Sequence, residues 1–581
     1  MNQEWNLSVL YKGFDDPDFR ADIERVKEGQ KKLASLIEKK ADMTAAYLEE
    51  ILLTMEEQTR LRSRIGNFIG LNQATNTDDG NIMAEMAKFM RIESEGTGTE
   101  AAALKLLGSI ENLEELEKES EVIKAYDFLI RDAKDQAKHL MSNEEEALTA
   151  ALDANGASAW SNLQSFMTST LKVDYKGETV TLSQIRNMAY DKDPEVRKAA
   201  YEAELAAYEK AEDAVAFALN NIKNQMWTLA LKRGFESPLA EALHMSRMSR
   251  ETLDAMMEAV REYLPVFRKY FRHKAEKLGH TNGLPWYDLF APLAESDKKY
   301  TVEECRDTLL SSFGEALPEI AAVMKDAFDN EWIDFFPRSG KEGGAFDCGL
   351  PDVKQSRILT NFDGSFDAVD TLAHELGHAF HDRQVQDERP MNCNYPMPVA
   401  ETASTFNEIH LKGLAVEKGS ETEKMALLEA DISGSAQCVV DIYSRYLFET
   451  AVYEQCRDKF LMAADLKEIM LNCQDESYGE GLDHDVRHPY MWLCKGHYYI
   501  SGLSFYNFPY TFGELFAQGI YAIYKDDPEN FIEKYKAMLR TTPVHTMEEN
   551  GQMLGIDITK KAFWEKSLGQ IAKKIELFLT L

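Results

Sequence analysis

The sequence predicts a mainly α fold with a small β element. Two observations carry that expectation. Apolar residues recur at i, i+3 and i+4 over long stretches, with Glu, Lys and Ala between them, which is the pattern of stacked helices. Only a few short stretches break it. Leu171–Leu182 (LKVDYKGETVTL) alternates about Lys176-Gly177 and reads as a β-hairpin, and Ser356–Phe362 (SRILTNF) reads as a short strand.

Taken in order, Asp15–Lys40 is an amphipathic helix with Ile23, Val26, Leu33 and Leu36 on its apolar face. Helices follow over Thr44–Leu71, Asn81–Glu93 and Leu113–Ser142, with loops at Asn76–Gly80 and Glu95–Gly98. After the hairpin, helix resumes at Ser183, and a soft boundary falls near there. Asp193–Trp227 and Ser249–Leu278 are strongly helical, and Ile333–Leu350 is not, because its glycines and proline rule out a long helix. Within it, Gly343–Cys348 is a candidate strand edge able to pair with an extended peptide. Asp431–Leu471 is helical, Asp475–Arg487 is a polar loop, and Thr559–Leu581 closes the chain as a helix with Phe563, Ile571, Ile575 and Phe578.

At 581 residues the chain is long enough for two to four domains and a substantial core. Its 99 acidic against 65 basic side chains give a net charge of −34, a field that repels nucleic acid and anionic membrane surfaces alike. The seven cysteines are scattered, odd in number and lack a C-x-x-C pair, so a reducing, cytoplasmic setting is expected. No apolar segment approaches the roughly 20 residues that span a bilayer, and the first residues lack the pattern of an export signal.

The chemistry concentrates in Thr371–Asp382, TLAHELGHAFHD. His374 and His378 stand four apart, so on a helix both rings face one side and can converge on one cation. Glu375, one step round, is placed to take a proton from water beside that cation. Asp363-Gly364 is a turn pair before the helix, and Ser365 is its N-cap. Gly377 costs helix stability, which points to a close neighbour. Downstream, VAETASTFNEIH puts Glu401, Thr405 and Glu408 on one helical face. A catalytic zinc commonly takes two His, one carboxylate and water, which makes Glu401 the natural third ligand and Glu408 a partner for a liganding ring. An exposed acidic stripe would show the same spacing. His381 is a further, weaker ligand candidate. Tyr490–Phe512 is dense in aromatics, whose polar tips a dry core would have to satisfy.

HELGHAFH followed by VAETASTFNE resembles the thimet oligopeptidase/oligoendopeptidase F family of zinc peptidases, and the likeness runs from WNLSVLY to GIDI and FW near the end. The resemblance implies His374, His378 and Glu401 as ligands of one Zn²⁺ per chain, Glu375 as general base and Glu408 outside the ligand shell. It implies substrate contacts at Gly344 and Ala345, and His497, Tyr499 and Tyr506 as candidates beside the scissile carbonyl. It also implies a large, mainly α, two-lobed metallopeptidase with a deep central cleft. On that basis residues 1–185 form an N-terminal helical region covering the cleft and 186–581 the catalytic domain, with the metal helix near 366–382. The implied activity is zinc-dependent endopeptidase action on short peptides. A related zinc exopeptidase and an inactive helical peptide-binding scaffold are the alternatives.

Overall fold

A computed structural model describes residues 3–39, 42–294 and 298–581. It is mainly α. Five strands occur among the described residues: β1 (Lys172–Tyr175), β2 (Glu178–Thr181), β3 (Ile333–Asp334), β4 (Phe346–Leu350) and β5 (Gln355–Leu359). By packing, the chain divides into two compact units, each drawn from three segments. One comprises residues 1–139, 297–411 and 527–555, and the other 140–296, 412–526 and 556–581.

The first unit begins with three long helices, Pro17–Glu38, Ala45–Thr75 and Gly80–Gly108. Ile23, Val26, Leu33 and Leu36 are buried, as their spacing requires. Lys40, the expected end of the first helix, lies outside the described residues. The expected loop at Glu95–Gly98 is helical, inside Gly80–Gly108. Gly96 is buried there against the first helix, and a Cβ on it would come 2.5 Å from Gln30 Nε2. The glycine thus answers a close helix crossing and does not mark a chain break. Leu113–Ser142, expected as one helix, is three short ones, Leu113–Leu116, Glu121–Ala125 and Asp127–Ala137. Ser120 caps the second of these by accepting from the main-chain N–H groups of Val122 and Ile123, which stops propagation from the first.

The sheet β3-β5-β4 sits behind the metal helix. β4 pairs antiparallel with β5, and no other strand among the described residues pairs with its second edge. Leu350 joins a core made with Tyr11, Phe19, Ile65 and Phe68, with Phe346 and Cys348 packed against it. The intervening Asp347 and Gly349 line a cavity shared with the metal helix, as the period of two dictates.

The second unit holds the β1–β2 hairpin. Lys176 and Gly177 both adopt positive φ (52° and 84°), the conformation of a tight two-residue hairpin turn. Long helices at Glu212–Lys232, Arg250–Lys277 and Lys561–Phe578 build its body, and Phe563, Ile571, Ile575 and Phe578 are all buried. Lys223 and Glu449 form a fully buried ion pair at 2.6 Å. No helix among the described residues is long and apolar enough to cross a membrane.

Candidate metal centre

The metal helix runs Phe366–Val385. Gly364 turns the chain at φ +81°, and Ser365 Oγ accepts the Ala368 N–H at 3.1 Å, so the helix starts where the turn pair and cap expected from sequence put it. His374 and His378 then project from one face, their Nε2 atoms 3.2 Å apart. Glu401 stands between the short helix Met397–Ala400 and the longer Thr402–Lys418. Its Oε2 lies 3.2 Å from His374 Nε2 and 3.3 Å from His378 Nε2. This trio is a candidate ligand set for one cation.

The donor set can be tested against zinc by its own geometry. Bonds of about 2.0–2.1 Å to a tetrahedral ion place neighbouring ligand atoms roughly 3.3–3.4 Å apart. The three separations here, 3.2, 3.2 and 3.3 Å, match one face of such a tetrahedron. Two imidazoles and a carboxylate are also the ligand types zinc favours. The residues present fit the ion, and the fourth vertex is left for water or substrate.

Neighbouring side chains fix two of the three candidate ligands, His374 and Glu401. Glu408 Oε1 is 2.5 Å from His374 Nδ1, so that nitrogen carries a proton, and Nε2 would present its lone pair to a bound cation. Ser404 Oγ donates to Glu401 Oε2 at 2.9 Å. Asn407 Nδ2 donates to the Ala373 carbonyl at 3.0 Å, tying the second helix to the first. Gly377 is where the helices cross: a Cβ there would fall 2.5 Å from the Ala403 carbonyl oxygen.

Charge is concentrated accordingly. Without a cation, burial favours a neutral His374, but hydrogen bonds to Glu401 and Glu408 outweigh it and push the ring's pKa up to about 10. Burial alone would raise Glu401, yet the two histidines hold it well below the usual carboxylate range. Glu375, 5% exposed, goes the other way: burial raises it despite His374 and His378, and the Asp347 main-chain N–H faces its carboxylate. Glu375 lines, with the three candidate ligands, a cavity of about 400 Å³ that Ala345, just before β4, and Phe346, Asp347 and Gly349 of β4 border.

His381 is turned away from this centre. It stacks on Tyr395 (centroids 3.9 Å apart, 8° between planes), and its Nε2 donates to Thr542 Oγ1 at 2.7 Å. Complete burial pulls its pKa down to about 3, so the ring is neutral. Sequence reasoning missed Asp347 and Asp382, two half-buried, touching carboxyls on the cavity wall: desolvation pushes both above the ordinary Asp value, and Asp382 raises Asp347 further, so one of the two keeps a proton. Asp382 contacts Tyr395 Oη (3.3 Å) and crowds the Gly349 Cα so closely that no side chain fits there. A signal existed for Asp382, which extends the 374, 378 stripe by four. Asp347 had none.

Of the expected substrate contacts, Ala345 borders the cavity. Gly344 does not: it turns the chain at φ +82° and its carbonyl accepts from Asn361 Nδ2 at 2.8 Å.

In the second unit, Tyr499 is 1% exposed and donates its hydroxyl to the Trp492 carbonyl at 3.1 Å, so it has no proton to offer a substrate. His497 and Tyr506 are half-buried and adjacent, with ring centroids 4.7 Å apart. Tyr510 donates to Tyr506 Oη at 3.2 Å, which leaves the Tyr506 proton free. Asn507 Oδ1 lies 3.2 Å from Arg445 Nη1 and 3.1 Å from His497 Nδ1. Because a guanidinium only donates, Asn507 must show it oxygen, so His497 carries its proton on Nδ1 and keeps an Nε2 lone pair. Burial pushes the His497 pKa below its ordinary value, the cations Arg445 and Lys495 adding to it against the Asn507 hydrogen bond.

The model of peptidase family M3 matches residues 187–570, and that of oligopeptidase F matches 109–172. An oligoendopeptidase F homologue of Lactococcus lactis is 26% identical over 98% of this chain and 97% of its own length. A crystal structure from Chlamydophila abortus superposes with a TM-score of 0.87 at 20% identity, covering 100% of this chain and 98% of that one. Oligoendopeptidase F of Enterococcus faecium does so at 0.69 and 18% identity, covering 97% and 98%.

Proposed function

We propose that this chain, which belongs to peptidase family M3 and is a metalloendopeptidase, hydrolyses internal bonds of short peptides with one zinc ion held by His374, His378 and Glu401. The observation that carries this reading is the triangle of donor atoms 3.2–3.3 Å on edge, with Glu375 on the wall of the same cavity. Zinc, when bound, supplies a Lewis acid that polarises a carbonyl and lowers the pKa of water from 15.7 to about 7.

The rest falls to the chain's own groups. Glu375 takes the proton from attacking water and returns it to the departing amine nitrogen. Glu408 holds the His374 ring in its liganding tautomer. The second edge of β4 is the proposed docking strand: an extended peptide pairing with it passes along the cavity wall at Ala345 and Phe346. Tyr506 is the proposed donor to the developing oxyanion, an assignment that rests on the family resemblance together with its unspent proton. His497 offers an acceptor at Nε2 and donates there only when protonated. None of the seven cysteines is in a disulfide, which is compatible with the proposed reducing cytoplasmic setting.

The test uses a fluorogenic peptide with acetylated N-terminus and amidated C-terminus, with metal analysis of the same sample. The expected result is about one zinc per chain, internal cleavage, loss of activity with chelator and recovery with zinc. Glu375→Gln should keep the metal and lose turnover by about 10²–10⁴-fold. Cleavage confined to unblocked ends would establish the exopeptidase, and wild-type turnover in Glu375→Gln would remove the base assignment.

A further inference from the structure

The second unit encloses a cavity of about 300 Å³ that the peptidase reading does not use. It sits at the small end of the range typical of ligand pockets. Its wall carries four cations, Arg186, Arg197, Arg445 and Lys495. Each guanidinium has a carboxylate of its own. Arg186 pairs with Glu204 at 3.1 Å, Arg197 with Asp288 at 2.7 Å, and Arg445 with Asp441. His488 leans on the already engaged Glu204 at 3.6 Å. Lys495 is the exception: its ammonium makes no hydrogen bond and no ion pair among the described residues. Beside it, Arg445 Nε is buried without an acceptor.

One unbalanced positive charge is thus held in a partly desolvated hollow. The cost shows in Lys495 itself, whose pKa is pushed below its ordinary value by burial first and then by Arg445. A chain of net charge −34 repels anions from its surface at large, so only a local excess of this kind can retain one. Part of the remaining wall is aromatic: Tyr190 and Phe290 stack at 5.0 Å, and Trp286 also lines the cavity. Part of the wall is the π-helical turn Gln437–Asp441, a distortion that interrupts an otherwise regular helix and that recurs at functional sites.

We infer that this cavity is a binding site for a small aromatic carboxylate, its anionic group on Lys495 and its ring among Tyr190, Trp286 and Phe290. The inference does not rest on the peptidase activity. An ammonium that lacks a partner would gain one, and a planar apolar body would fill the hollow.

The experiment is calorimetric titration of the zinc-loaded full chain with phenylacetate, and with phenylacetamide as its neutral isostere. Phenylacetate should bind at one saturable site, and the amide at least about tenfold more weakly, the scale of one lost charge-assisted contact. Lys495→Met should weaken phenylacetate by about tenfold or more, while Lys495→Arg keeps most of it. Absence of saturable binding to the wild type overturns the site. So does equal binding of acid and amide, a measurement that needs no variant. Undiminished binding by a folded Lys495→Met protein also overturns it, since the carboxylate would then be seated at the metal.

Discussion

The metal helix and the stretch from Gly496 to Asn507 are equally rich in ionisable and aromatic side chains, yet they behave differently. On the helix, separation in sequence fixes separation in space: 374 and 378 converge, and Asp382 continues the same stripe. Between Gly496 and Asn507 the chain makes a short 3₁₀ turn and then a loop, with Gly502 and Phe505 at positive φ. Neighbours there part company. Tyr499 goes into the interior, whereas His497 and Tyr506, nine residues apart, end up ring to ring. Regular structure makes a site legible, and irregular structure hides it.

The largest effect that can break this contrast lies at the helix. Glu401→Ala removes one of three ligands, and the zinc content of dialysed protein should fall from about one to near none, with activity lost alongside. Full zinc occupancy in that variant would mean the triangle is not the binding site. Next come the two tyrosines. Tyr506→Phe should lower kcat by about 10²–10³, equal to roughly 2.7–4 kcal/mol of lost oxyanion stabilisation, with KM little changed. Tyr499→Phe should leave kcat near wild type and cost about 1 kcal/mol of stability from its lost hydrogen bond. Exchanged outcomes would reverse the division between interior and reactive tyrosine. Glu408→Gln should weaken zinc affinity by about 10–100-fold, because the His374 ring loses the charge that sets its tautomer.

The smallest expected effect concerns His381, which shares the metal helix but not its chemistry. Its folded pKa, about 3, lies below the unfolded value of 6.5. The unfolded chain therefore binds a proton that the folded chain refuses. Stability from this group is complete above pH 6.5 and falls as pH drops from there toward 3. Urea melts between pH 7 and 4 should lose about 1–3 kcal/mol more in the wild type than in His381→Gln. Parallel loss in both would mean the ring is not held neutral.

Most of the helical architecture was legible, as were the hairpin turn, the Ser365 cap and the crossing at Gly377. The exceptions are instructive. Gly96 and Gly98 look like breakers in isolation, but one supplies room for Gln30 and both are carried by a helix whose packing outweighs their propensity. Leu113–Ser142 keeps a helical apolar rhythm through two interruptions, because short capped helices reuse the same period. The packing units interleave three segments each, a grouping that no linear boundary near residue 185 expresses.

By itself the sequence singled out the candidate cation-binding pair and the acidic residues proposed to act with it, since a helix converts spacing into direction and the ligand chemistry is carried by residue type. Tertiary structure alone decided that Glu401 reaches both rings, that Asp347 meets Asp382, that His381 faces Thr542, and that Lys495 makes no ion pair among the described residues. Each of those depends on segments brought together across long stretches of chain, where the position of an atom follows from packing and hydrogen-bond satisfaction and no local rule supplies it.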